Sequence, residues 1–300
     1  MLSICIPVYN YKVDKLVIQL SNQCKALNID FEIIVFEDGS DLEKRNDLSF
    51  CPFVKHLVND VNLGRSVSRN ILAKTSVYDK ILFLDCDSSI IDENFIKNYI
   101  DAYEYPVVCG GTLYLQEQKE ENKTLRLRYG MKREMVSASV RNFNPNKSFA
   151  TNNFLISRNV FEKVSFCESL KKYGHEDSLF GFELKQNNIT IFHINNAVVH
   201  LGVESNGEFI NKTLCAIDNL ILIEKMENIN PLFTSEIKLI STYERLKKIG
   251  LSIFVLLFFN IFGKGIKKHL IESTRQSIFL FDLYKLGYFI KRRSYENKRK

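Results

Sequence analysis

Apolar residues come in short runs through the first third of the chain, and Leu2 to Val8, Phe31 to Phe36 and Lys80 to Leu84 each read as a buried strand. Between them, Asp14 to Leu27 and Gly64 to Thr75 repeat apolar side chains at helical spacing. Strands separated by helices predict an α/β fold with a mostly parallel sheet and helices on both faces. Ligands of such sheets bind at the carboxyl ends of the strands, so chemistry is expected in the residues that follow each run. Residues 117–148 break the pattern, being polar and basic with few strand signals, and predict an excursion over that site. Strand-like and helical segments return over 149–200, followed by an amphipathic helix over about 208–227. These readings place one domain over 1–227 and a helical C-terminal extension over 228–300.

Two segments of the extension bear on a membrane. Ile249 to Phe262 is apolar apart from Gly250, Ser252 and Asn260, yet shorter than the ~20 residues a span requires, so it is expected as a buried or interfacial helix. Ile278 to Ile290 is apolar around most of a helix, with Asp282 and Lys285 on a narrow polar stripe. Lys291, Arg292, Arg293, Lys298, Arg299 and Lys300 follow it, a combination that predicts peripheral contact with an anionic membrane. The competing reading is a helix packed on its own domain with a solvated basic end.

Charge sharpens this picture. Residues 264–300 hold eleven Lys or Arg against Glu272, Asp282 and Glu296, a net of +8, so the total of +6 leaves −2 on residues 1–263. A basic tail on a slightly acidic body argues against nucleic-acid binding, where positive charge lines the working surface. Seven cysteines form no CxxC pair, and the N-terminus lacks a basic region followed by an apolar stretch, so a cytoplasmic protein on the inner face of the cell membrane is expected.

The polar motifs fall where strands end. Pro7-Val8-Tyr9-Asn10 spans the end of the first; Glu37-Asp38-Gly39-Ser40 follows the second and offers carboxylate acceptors in a tight turn, suited to a nucleobase or ribose or to a helix cap. In Asn62-Leu63-Gly64-Arg65-Ser66-Val67-Ser68-Arg69-Asn70, a glycine opens a helix carrying Arg65 and Arg69, which favours a diphosphate; surface arginines on a helix start are the plainer alternative. Asp85 and Asp87 are two apart at a strand end, so both carboxylates can face one divalent cation, Mn²⁺ or Mg²⁺. Such a cation neutralises a leaving diphosphate. His200 ends another apolar run, where a lone histidine is either a satisfied structural group or, with Asp87, completes a mixed oxygen and nitrogen site. Glu176 and Asp177 open a helix, either as partners of its dipole or with one of them as a general base.

Taken together, Pro7 to Asn10, Glu37 to Ser40, Asn62 to Asn70, Asp85 to Asp87, Thr151-Asn152-Asn153-Phe154, Glu176-Asp177 and His200 resemble glycosyltransferase family 2 over roughly residues 1–225. Tyr129-Gly130, Lys147 to Asn153, Tyr173 to Asp177 and His193 to His200 look like a bacterial subgroup common in surface-polysaccharide gene clusters. The resemblance implies a GT-A fold and an inverting transfer from a nucleotide-sugar donor, UDP-linked, to a glycan or lipid-linked acceptor. It also implies that Pro7, Tyr9, Glu37, Asp38, Arg65, Arg69, Asp85 and Asp87 bind the donor, and that Asp85, Asp87 and His200 hold the metal. Asn152 and Asn153 lie on the acceptor side, and Asp177 is the base. Glu37 departs from the family's usual Asp, which loosens the inference about the nucleotide. Two other readings compete. A sugar-phosphate nucleotidyltransferase needs a glycine-rich loop after the first strand, which Pro7 to Lys12 lacks. A catalytically silent scaffold subunit of a polysaccharide assembly complex would bind a nucleotide sugar without releasing nucleoside diphosphate.

Overall fold

β1 (Leu2–Val8), α1 (Asp14–Ala26), β2 (Phe31–Asp38), β3 (Val54–Asn59), α2 (Arg65–Thr75) and β4 (Lys80–Leu84) follow one another in the computed structural model, which describes residues 1–297. β1 and β4 have the bounds that their apolar runs predict, while β2 continues through Glu37 and Asp38. Next come β5 (Ser88–Ser89), α3 (Phe95–Ile100), β6 (Val107–Cys109) and β7 (Thr112–Leu113). α4 (Thr124–Tyr129) and α5 (Ala138–Arg141) are helical pieces of the polar 117–148 stretch, and β8 (Asn153–Ser157), α6 (Arg158–Lys163), α7 (Glu176–Gln186), β9 (Phe192–His193) and β10 (Val198–His200) follow. The chain forms two compact units: residues 1–115, 131–171 and 176–202 in the first, residues 116–130, 172–175 and 203–300 in the second.

The first unit is built on a seven-stranded sheet in the order β3-β2-β1-β4-β8-β6-β9. Every neighbouring pair is parallel except those made by β8, which runs against both β4 and β6. This is the mostly parallel, helix-flanked sheet that the sequence predicts. Alternation sends Ile4 and Ile6 to one face, against Leu16, Val17 and Leu20 of α1. Cys5, Ile34 and Phe83 face the other side, with Leu72 of α2 and the rings of Phe154, Phe166 and Phe180. Both faces are covered, which is why these strands read as unbroken apolar runs. The order in which strands are added reverses beside β1: β2 and β3 lie to one side, β4 to the other. The carboxyl ends of β1 and β4 therefore border the crevice of a topological switch point. A second sheet, β5-β10-β7, lies beyond β4 in sequence and pairs His200 with Ser88.

The second unit is helical, with α4, α8 (Asn206–Ile223), α9 (Pro231–Glu236), α10 (Lys238–Lys248), α11 (Ser252–Glu272) and α12 (Ile278–Asn297). A capping box opens α8: Ser205 Oγ accepts from the Glu208 amide at 3.3 Å, and Glu208 Oε2 accepts from the Ser205 amide at 3.0 Å. The interfacial role expected for residues 278–290 meets a correction here, because the apolar stripe of α12 is already covered. Ile278, Phe281, Tyr284, Phe289 and Ile290 are buried against residues of α8, α10 and α11. Its basic end is also engaged, Arg292 with Asp218 at 2.7 Å and Arg293 with Glu224 and Glu244. Lys298, Arg299 and Lys300 lie outside the described residues. No single described helix is long and apolar enough to cross a membrane; α10 and α11 together have the length and composition but are bent by 113° at their junction.

Candidate active site

The loops after β1 and β2 are tied to each other before they can hold anything else. Asn10 adopts a left-handed conformation, φ 53°, that asparagine tolerates better than most residues. Its amide N–H donates to Ser40 Oγ at 2.9 Å, and its side-chain oxygen accepts from the Asp41 amide at 2.8 Å. Glu37 is fully buried and accepts from Ser40 Oγ and from both the backbone and side-chain N–H groups of Asn46. Asp38 accepts from the amides of Leu63 at 2.7 Å and Gly64 at 2.9 Å. Glu37 and Asp38 therefore brace the two turns and hold the start of α2 in place. Gly39 is required between them: its φ is +75°, and a Cβ there would lie 2.4 Å from the Asn62 nitrogen. Pro7 is the penultimate residue of β1, and Tyr9, just past its end, is exposed.

α2 then delivers its two arginines to two acids. Arg69 is buried, donates from Nη2 to Asp85 Oδ1 at 2.7 Å, and stacks over Phe166 at 5.5 Å. Its Nε and Nη1 have no hydrogen-bond partner among the described residues. Arg65, half-exposed, reaches Glu176 Oε1 at 3.5 Å. α7 begins after Gly174 and His175, both at positive φ, so Glu176 and Asp177 sit at the helix start. Asp177 Oδ1 accepts from the Ser178 amide at 2.6 Å and from Ser178 Oγ at 3.2 Å. Burial, followed by the Glu176 charge, pushes the Asp177 carboxyl up to about 6, with Ser178 and Arg69 pulling the other way.

Pairing of β10 with β5 carries His200 to Asp87, with Nδ1 at 3.4 Å from Oδ2. Burial acts to raise the Asp87 carboxyl, but the hydrogen bond and charge of His200, with Arg65, outweigh it and leave the group below its usual value. A Cβ on Gly202 would lie 2.2 Å from Asp87 Oδ2, so only glycine leaves room for the carboxylate there. Cys86, between the two acids, is pushed up to about 12 by burial and by Asp87 and Asp85, and stays a thiol.

Of Asp85, Asp87 and His200, expected on one metal, Asp87 and His200 lie 3.4 Å apart and Asp85 pairs with Arg69 at 2.7 Å. No three of the described His, Cys, Asp and Glu side chains converge as ligands. The Asp87 and His200 donors nonetheless suit a cation that takes oxygen and nitrogen, with its remaining positions left to a ligand or water. Asn152 donates to Thr112 Oγ1 at 2.9 Å. Asn153 does not present itself to a ligand: it is fully buried, donating to the carbonyls of Gly111 and Asn196 and accepting from Tyr99 Oη.

One cluster escapes the sequence reading. Arg141 of α5 is buried and uses all its N–H groups, Nε to Val136 O, Nη1 to Cys109 O and His193 Nδ1, and Nη2 to Gly110 O and Ile194 O. His193 accepts at Nδ1 from Arg141 at 2.6 Å, so its proton is on Nε2, donated to Pro145 O at 2.8 Å. In the sequence, His193 stands out only as the first residue of the His193 to His200 stretch, seven positions before His200. Burial, with the Arg141 charge, lowers His193 to about 4. Its folded pKa lies below the usual 6.5, so the unfolded chain binds the extra proton and stability falls as pH drops from about 6.5 toward 4. Between pH 7 and pH 4.5 the wild type should lose about 2 kcal/mol in urea unfolding relative to His193→Gln, which keeps an acceptor and a donor but never charges; the comparison between the two proteins cancels other titrating groups such as Asp177.

Residues 3–177, more than half the chain, match the family described as Glycosyl transferase family 2. The chain belongs to glycosyltransferase family 2. An uncharacterised glycosyltransferase of Haemophilus influenzae is 37% identical over 99 residues, which are 32% of this chain and 33% of that relative, so the match spans about a third of the relative's length. Among solved structures, a mannosyltransferase of Pyrobaculum calidifontis in complex with GDP-Man and Mn²⁺ superposes with a TM-score of 0.58 at 11% identity, covering 98% of this chain and 87% of that one. TarS of S. aureus superposes with a TM-score of 0.50 at 17% identity, covering 99% of this chain and 54% of that one, so the glycosyltransferase spans about half the TarS chain. Both likenesses are likenesses of fold, and that fold is GT-A.

Proposed function

We propose that this glycosyltransferase moves a sugar from a nucleotide-diphosphate donor to a hydroxyl of a glycan or lipid-linked acceptor, with inversion at the anomeric carbon. The observation that carries the reading is Asp177, a carboxyl held near 6 beside the Arg69–Asp85 pair at the switch-point end of the sheet. A base with that pKa is ionised at neutral pH yet strong enough to take a hydroxyl proton. The acceptor oxygen attacks the anomeric carbon as Asp177 takes its proton, and the bond to the diphosphate breaks on the opposite face.

Arg69 supports an anionic donor. Two buried guanidinium nitrogens, Nε and Nη1, without partners among the described residues cost about 1–3 kcal/mol each, which diphosphate oxygens would recover. Asp87 and His200 are the residues that would hold Mn²⁺ or Mg²⁺; the bound ion supplies positive charge to a leaving diphosphate. Family resemblance favours a UDP-linked donor, and the Pyrobaculum calidifontis neighbour carries GDP-Man, so both nucleotides belong in the test. Purified protein is incubated with a panel of UDP-, GDP- and dTDP-sugars, with Mn²⁺ or EDTA, and nucleoside diphosphate release is measured. One donor should be hydrolysed or transferred in a metal-dependent way. Binding without release of any nucleoside diphosphate would instead favour the silent scaffold reading.

A further inference from the structure

We infer that the outer face of α11 is a docking surface for an anionic lipid bilayer, against which the second unit lies without crossing it. One face of α11 is fixed inside that unit, where Phe259, Gly263, Ile266 and Leu270 are buried. Phe259 packs on Tyr284 at 5.3 Å, and a Cβ on Gly287 of α12 would lie 2.4 Å from the Phe259 ring. Among the described residues the opposite face has no such cover: Ile253, Phe254, Leu257, Ile261 and Phe262 are each 52–70% exposed, as is Ile249 just before the helix. Residues 253, 254, 257, 261 and 262 share a side because successive helical residues turn by about 100°. So many large apolar side chains held in one exposed stripe mark an interaction surface.

Charge selects the occupant. Residues 245–271 contain six Lys or Arg and no Asp or Glu. Exposed Lys247 and Lys248 precede the apolar stripe, and exposed Lys264 and Lys268 follow it on the same helix. Apolar side chains flanked at both ends by lysines fit acyl chains below a layer of anionic headgroups. A second copy of this chain fits poorly, because a two-fold pairing of this face would bring lysines against lysines. The 113° bend before α11, at Gly250 with φ +75°, and the packing of the inner face keep the helix from extending into a span.

The test uses the full chain, and its readout does not depend on catalysis. Co-sedimentation is measured with phosphatidylcholine vesicles with and without phosphatidylglycerol, at low and high salt, alongside sedimentation velocity without lipid. The wild type should bind the anionic vesicles and release them as salt rises. Changing Phe254, Leu257 and Ile261 together to Ser should lower the partition coefficient about tenfold or more. Changing Lys247, Lys248, Lys264 and Lys268 to Gln should abolish the preference for phosphatidylglycerol. Circular dichroism should be unchanged in both, since none of these side chains is in the core. The inference is overturned by no vesicle binding at low salt, by equal binding of the Ser variant, or by equal binding to neutral and anionic vesicles. A lipid-free dimer that the Ser variant converts to monomers, with no vesicle binding, would assign the face to a second copy instead.

Discussion

Replacing Asp177 by Asn should lower sugar transfer by about 10²-fold or more while changing donor affinity by less than about twofold. Asn keeps an oxygen where Oδ1 accepts from the Ser178 amide and hydroxyl, so the start of α7 should survive the change. Only the capacity to take a proton is lost. The pH profile separates this role from a structural one. Burial and the Glu176 charge raise Asp177 to about 6, so the ionised base is depleted as pH falls through that value, and kcat should drop about tenfold per pH unit below it. Glu176→Gln removes the second of those causes and should move this limb to lower pH. Stability carries the opposite sign: a carboxyl raised above its unfolded value favours the fold while protonated, and that contribution is lost as pH rises through about 6. The Asn variant should therefore be no less stable than wild type at pH 7.5, as read by thermal unfolding. Donor affinity falling in step with transfer would reassign Asp177 to binding, and a larger loss at Glu176 would move the base there.

The sequence made the scaffold legible and left the partners of its acids open. β1 and β4 were readable to the residue because a strand covered on both faces must be apolar throughout, a local property. β3 escaped notice: it is an edge strand, half-exposed, in which Lys55 and His56 interrupt the apolar residues. Glu37 and Asp38 had the right place and an ambiguous direction. A carboxylate that closes a turn and one that faces a ligand look alike in sequence, and what decides here is the approach of Asn46 and of the Leu63–Gly64 amides. Asp85 was drawn to Arg69 by the packing of α2 on the sheet, which the spacing of two acids does not contain. The meeting of Asp87 with His200 depends on a two-residue antiparallel register, and the Arg141–His193 clamp joins residues 52 apart with no local signature. The same limit explains the tail: an apolar helical stripe is the signal for packing and for lipid alike, and in this fold α12 took the interior place while α11 kept an open face.

Replacing Asp87 by Ala should cost about 10²-fold or more in turnover, and it should do so through the metal. Asp87 is the acid that His200 faces, at 3.4 Å, and the hydrogen bond and charge of His200 hold its carboxyl below the usual value, which favours the ionised form a cation needs. Alanine leaves the imidazole as a single protein ligand, too few to hold a hard divalent ion against water. Mn²⁺ binding measured by calorimetry in the presence of nucleoside diphosphate should weaken in parallel with activity. Gly202→Ala offers an independent approach to the same carboxylate, because its Cβ would lie 2.2 Å from Oδ2 and force the group out of place. That variant should share the loss of Mn²⁺ affinity without touching a charge. Asp85→Ala is the contrast: it removes the partner of Arg69 at 2.7 Å, leaving a third side of a buried guanidinium unmatched, and should weaken donor binding while Mn²⁺ affinity stays near wild type. If instead Asp85→Ala abolishes metal binding and Asp87→Ala does not, the two carboxylates exchange roles; full turnover in EDTA removes the metal from the mechanism altogether.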